Sequence, residues 1–222
     1  MATLIPVAAQ QMQQTTPPQD WTTGVTTKYV RVSTVDLPSK GHAYRPMLQN
    51  DVVIVDAAGS VLLSASNHQA LDLLEGNMQF LTAPTMVQVV NNGPIPAKVI
   101  AIELLKRWNV PMKPCAPPLI CARDITVGGM KIGESATFFT NGYVTAQWNG
   151  MNPGGSLDST YFSPKGKDYM VFIALTDLDG NFGGKKQHLA AGSVFATEAK
   201  EVEIDAGKDE ARWCVLRIND KK

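Results

Sequence analysis

Three histidines, His42, His68 and His188, and three cysteines, Cys115, Cys121 and Cys214, are the side chains of this sequence best suited to hold a metal ion or attack an electrophile. Metal ligation asks for close spacing, such as two histidines one helical turn apart or cysteines two to four residues apart. The histidines stand far apart, and Cys115 and Cys121 are separated by a stretch that includes Pro117 and Pro118. Surface or loop histidines and reduced thiols, buried or half-buried, are the simpler expectation. The nearest approach to a cation loop is Asp177-Leu-Asp179-Gly180-Asn181, with Asp177, Asp179 and Asn181 as oxygen donors. Its glycine falls at the fourth position instead of the sixth, and His188 stands where a calcium loop needs its last glutamate. A plain Asp-Gly turn is the better reading, with a metal site as the minor alternative.

Nucleophile and phosphate motifs fail in a similar way. Gly133-Glu-Ser135 and Gly154-Gly-Ser156 begin a Gly-x-Ser-x-Gly elbow, but Thr137 and Asp158 replace the closing glycine. Gly166-Lys167-Asp168 lacks the hydroxyl that follows a phosphate-loop lysine. The sequence therefore names no catalytic residue and no cofactor, and the expectation is a protein without catalysis.

Composition narrows the partners. The chain has 222 residues, with 20 Lys+Arg against 20 Asp+Glu and a formal net charge of zero. That balance gives no basic footprint and disfavours direct nucleic-acid binding. The N-terminus lacks the positive segment of a signal peptide, and no apolar window reaches membrane-helix length. Synthesis in a cytoplasm without export follows as the expectation.

The elements that would position any site read mostly as strands. Lys28–Val35 alternates apolar and polar, and Asp51–Asp56 and Val61–Ala65 flank Gly59 as a hairpin. Gly128-Gly129 and Asn141-Gly142 mark two further hairpins, and Tyr169–Leu175 reads as a central strand buried on both faces. Glu201–Asp205 and Arg212–Ile218 form a plausible closing hairpin, and Val99–Trp108 is read as strand. One helix is expected over 66–81, from the Ser66/Gln69 capping box and the spacing of Leu71, Leu74, Met78 and Leu81. A pentamer, Ala57-Ala-Gly-Ser-Val61, recurs as Ala190-Ala-Gly-Ser-Val194 and is taken as coincidence or a shared turn preference. The fold class is mainly β: an antiparallel β-sandwich or jelly-roll barrel, with one short helix and an extended N-terminal arm.

The arm is residues 1–24, rich in Gln, Thr and Pro, ahead of a single sandwich domain over 25–222. Ile5, Pro6, Val7 and Trp21 are its candidate contact residues for assembly. In this arm and in the strands Asp51–Ala65, Leu119–Trp148, Tyr169–Leu175 and Arg212–Ile218, the chain resembles virion structural proteins, notably bacteriophage coat, spike or decoration proteins of single-jelly-roll or sandwich type. The resemblance implies a structural subunit of a virion, partnered by other protein subunits in a homo-oligomer or larger assembly. The alternative is a carbohydrate- or receptor-binding sandwich that uses the long 149–168 loop.

Overall fold

Alternating and continuous apolar runs dominate this chain, and in the computed structural model they become strands packed in layers; residues 17–107, 110–114, 121–162, 168–198 and 202–219 are described. The first nine strands are β1 (Thr22–Thr26), β2 (Val30–Leu37), β3 (His42–Leu48), β4 (Val52–Ala58), β5 (Ser60–Ala65), β6 (His68–Leu74), β7 (Met78–Leu81), β8 (Thr85–Val90) and β9 (Ala97–Leu104). Two connecting strands follow, β10 (Lys113–Pro114) and β11 (Cys121–Val127). The rest are β12 (Met130–Thr140), β13 (Val144–Met151), β14 (Ser156–Leu157), the short helix α1 (Ser159–Phe162), β15 (Tyr169–Ala174), β16 (Leu178–Phe182), β17 (Lys186–Leu189), β18 (Val194–Glu198), β19 (Val202–Asp205) and β20 (Ala211–Ile218).

The same topology occurs twice. The first nine strands form two sheets, ordered β1-β2-β9-β4-β7 and β3-β8-β5-β6. The last nine form β12-β13-β20-β15-β18, extended at β12 by β10 and β11, and β14-β19-β16-β17. Each strand of the first unit thus has a counterpart in the second. Register makes the match residue by residue: β2 pairs with β9 from Val30↔Leu104 to Leu37↔Ala97, and β13 with β20 from Val144↔Ile218 to Met151↔Ala211. Glu103 therefore corresponds to Arg217, and Val99 to Trp213. On the neighbouring strands, Ile54 faces Ala101 as Phe172 faces Val215, and Asp56 faces Val99 as Ala174 faces Trp213.

Strand periodicity assigns each face to a core. On β9, Ala97, Val99 and Ala101 point into the first unit, while Ile100, Ile102 and Leu104 point the other way. That second set meets Val144, Val171, Cys214 and Leu216 of the second unit, so the two larger sheets pack face to face. The tilted ring pairs Tyr29–Tyr169, at 5.0 Å, and Phe80–Phe139, at 5.8 Å, close the same interface. Four layers enclose three cores, and β4, β9, β15 and β20 are apolar on both faces because both are covered. The continuous run Tyr169–Leu175, read as a central strand, is β15, flanked by β18 and β20.

Several local expectations change. The helix expected over 66–81 is two strands, β6 and β7, broken by Gly76 at φ +82°. Leu73, Met78 and Leu81 are buried there while Leu74 is exposed, because pairing with β5 and β4 outweighs helical spacing. The Gly59 turn does not make a hairpin: β4 and β5 lie in different sheets, as do β19 and β20. A jelly roll passes from sheet to sheet at these points. The Gly-Gly and Asn-Gly hairpins do form, between β11 and β12 and between β12 and β13.

The repeated pentamer lies out of step with the structural repeat. The turn Ala190–Ser193, at the entry to β18, corresponds to Leu74–Asn77 at the entry to β7. In both, a positive-φ glycine donates to the β-strand opposite at 2.8 Å, Gly76 to the Asp56 carbonyl and Gly192 to the Ala174 carbonyl. Ala57–Val61 belongs to a different turn.

Candidate ligand site at the mouth of the first unit

Arg31, Arg45 and Glu103 lie on odd-numbered positions of β2, β3 and β9, the positions that point into the first unit. Arg45 Nη2 donates to Glu103 Oε1 at 2.5 Å, and Arg31 Nη1 to Oε2 at 3.5 Å. The Glu103 and Arg45 side chains are 3% and 12% exposed, that of Arg31 45%. Two guanidinium groups thus share one buried carboxylate, leaving a local excess of one positive charge. Burial pulls the pKa of Arg45 below its ordinary value, Glu103 opposes the change and Arg31 adds to it. A guanidinium stays charged through such a shift.

Trp21 covers this group from the chain that leads into β1, with its ring 5.3 Å from the Arg45 guanidinium carbon. Arg45 Nη1 and Trp21 Nε1 are both buried donors with no protein acceptor. Beside them opens a cavity of about 420 Å³, lined also by Tyr44, Pro46, Met47 and Leu48. A buried donor left unpaired costs about 1–3 kcal/mol, and the cavity beside these two leaves room for an acceptor from outside the chain; Asn149 Nδ2, Trp213 Nε1 and Arg217 Nε are likewise unpaired at the plugged end of the second unit.

The corresponding end of the second unit is closed. There the link from β14 to β15 runs from Asp158 to Asp168 and carries α1, whereas Gln49–Asp51 alone joins β3 to β4. Phe162 of α1 is 1% exposed and meets Phe172 and Trp213 edge-on at 5.4 and 6.1 Å. Its carbonyl accepts from Arg217 Nη1 at 3.1 Å, and Tyr161 donates to Asn149 at 3.2 Å. The long loop over 149–168, read as a binding loop, is in its described part the end of β13, β14 and this plug. Residues 163–167 lie outside the described residues.

The other expected sites are placed as follows. Ile5, Pro6 and Val7 lie outside the described residues, as does Cys115. Trp21 packs on the first unit of its own chain, and Gln19 bonds to the His42 carbonyl at 2.7 Å. Asp179 and Asn181 are on the outer face of β16, with Asp177 just before it. Asp179 Oδ1 meets His188 Nδ1 at 2.9 Å, and Asp177 accepts from the Ala191 amide at 2.9 Å. Asp179 raises the pKa of His188 from its usual value. Two open clefts of about 430 and 450 Å³ flank this patch, but the acidic side chains of Asp177 and Asp179 are mostly in solvent. Among the described residues no three His, Cys, Asp or Glu side chains gather as metal ligands.

Sequence reading missed Arg31, Arg45 and Glu103. The signal was a lone carboxylate inside the apolar run Val99–Leu105, a position that only a paired charge occupies at low cost.

No protein-family model matches the chain, and no curated protein matches it by sequence. Solved structures do match. A cupin 2 conserved barrel domain protein from Leptotrichia buccalis superposes with TM-score 0.53 and 10% identity, covering 92% of each chain. Procruciferin, an 11S globulin of Brassica napus, gives TM-score 0.61 and 10% identity over 86% of this chain and 76% of its own. Salicylate 1,2-dioxygenase from Pseudaminobacter salicylatoxidans gives 0.58 and 8% over 90% and 76%.

The fold is thus the jelly-roll sandwich expected, in its cupin form. The resemblance to virion proteins is overturned, and with it the role as capsid, spike or decoration subunit and the location in a virion: the structures matched are cupin-fold proteins. Short strands, a polar arm and absent motifs are common to many jelly rolls and do not separate these families. The carbohydrate-binding alternative gains no better support. The expectation of no catalysis is withdrawn as well, because the same fold carries a dioxygenase. No helix among the described residues is long and apolar enough to cross a membrane.

Proposed function

We propose that this chain binds a small organic anion, a carboxylate with an apolar body, at the mouth of its first unit, as ligand or as substrate. The pair of orphaned donors, Arg45 Nη1 and Trp21 Nε1, carries the reading. The excess positive charge of Arg31 and Arg45 over Glu103 supplies attraction, and a guanidinium suits a planar carboxylate. Tyr44, Met47 and Leu48 supply the apolar wall for the rest of the molecule.

Calorimetric titration with sodium benzoate and with straight-chain carboxylates from acetate to decanoate tests this. Saturable binding is expected for at least one acid, weakened tenfold or more in Arg31→Gln and absent for the matching neutral amide. Equal binding of acid and amide, or no binding of any acid, overturns the proposal. Self-association, also expected from the sequence, is proposed through a second copy meeting the outer sheet at Leu74 and Met86, which are 58% and 36% exposed. Light scattering on wild type and Leu74→Glu decides that point.

A further inference from the structure

At the opposite end of the first unit, Asp56 is buried to 0% exposure on β4. Its Oδ1 accepts from the Ala58 amide at 3.2 Å, and its Oδ2 makes no well-aligned hydrogen bond, though the Val61 amide nearby eases the charged form slightly. The residue frames the turn that enters β7: its amide donates to the Asn77 carbonyl at 3.2 Å, and its carbonyl accepts from Gly76 at 2.8 Å. This turn touches the second unit. A Cβ on Gly76 would lie 2.9 Å from Trp148, the Gly76 carbonyl takes the Cys214 thiol at 3.3 Å, and Glu75 pairs with Arg212 at 3.1 Å.

The molecule contains its own control. In the second unit Ala174 holds the place of Asp56, and the corresponding bonds recur: the Ala174 amide to the Ser193 carbonyl at 3.0 Å, and Gly192 to the Ala174 carbonyl at 2.8 Å. The turn therefore does not need a carboxylate. Burying one with an oxygen unpaired is costly in its ionised form and unnecessary in its neutral form.

We propose that Asp56 is a proton-linked latch between the two units: protonated, it lets the 74–77 turn close on Trp148 and Cys214, and ionised, it draws water in and loosens that turn. The buried carboxyl is raised to about 7, first by burial and then by the charge of Glu75. The other groups around the contact are Arg212, held by Glu75, and the Cys214 thiol, which burial pushes up; Lys98, whose partner is Asp36 at 3.7 Å, lies instead against Gly192 of the second turn. Glu75 opposes ionisation, so release of the turn relieves two like charges together.

Amide hydrogen exchange by NMR, corrected for intrinsic rate, separates this from general softening. Between pH 6 and pH 8, protection of Gly76 and Asn77 falls tenfold or more while that of Gly192 and Ser193 holds. Asp56→Asn, which mimics the neutral acid, and Asp56→Ala, which copies the second unit, both abolish the fall. The idea is overturned if the two turns lose protection equally, if neither does, or if the loss persists in whichever variant folds.

Discussion

The two units share strand order and register yet fill their interiors differently. In the first, the inward side chains are mostly aliphatic: Ile54, Val99 and Ala101 line the middle rungs. In the second, the same rungs carry Phe172, Trp213 and Val215, with Phe182 and the plug residue Phe162 beside them. Volume added at equivalent positions closes one interior, and a longer loop seals its end. The first unit keeps its mouth open and spends it on a buried ion pair. One topology thus accommodates a filled unit and a unit with an open mouth, and side-chain size and loop length decide which.

Substitutions can break or sharpen this contrast, beginning with the plug. Phe162→Ala should destabilise by about 3–5 kcal/mol in urea unfolding, the range for loss of a buried phenylalanine. It should leave carboxylate binding at the first mouth unchanged; a loss of binding would mean that the units are not separable in function. Arg45→Met should cost a similar amount, about 3–5 kcal/mol, by leaving buried Glu103 with only the longer 3.5 Å pair to half-exposed Arg31. The double variant Arg45→Met/Glu103→Leu should recover most of that stability and still fail to bind acids.

Asp56 is next. Its folded pKa of about 7 exceeds the unfolded value near 4, so its contribution is fully present below about pH 4 and lost as pH rises through 7. Asp56→Asn should therefore gain about 2–4 kcal/mol over wild type at pH 8, with the gain shrinking toward pH 5 in denaturant titrations. Ala174→Asp should transfer the same slope to the second unit. The smallest effect belongs to His188 on the outer face. Its pKa is raised by Asp179, so the pair helps only at acid pH and the benefit fades as His188 loses its proton. His188→Gln should leave the melting temperature at pH 8 unchanged.

Much of the fold is legible in the sequence because strand periodicity and turn glycines act locally. Asn141-Gly142 and Gly128-Gly129 specify their hairpins within a few residues. Whether a turn joins neighbours in one sheet or crosses between sheets is settled by distant pairing, which is why Gly59 and the 206–209 turn were misread as hairpins. The 66–81 stretch satisfied helical spacing and strand pairing alike, and only β4 and β5 could choose between them. The site was still less visible. Arg31, Arg45 and Glu103 are spread over three strands, and no motif links them until the sheets close.

The duplication is also invisible as sequence identity, since Leu74–Asn77 and Ala190–Ser193 share a backbone but only the glycine. What the two units retain is a pattern of faces, most plainly in β9 and β20, each apolar on both sides. Half of that apolar surface belongs to the other unit. Produced alone, either half would present a whole sheet of valine, isoleucine and leucine to water. Cooperativity is the consequence: the halves must unfold together, and a protease that cuts between β9 and β10 should leave a nicked protein that stays in one piece.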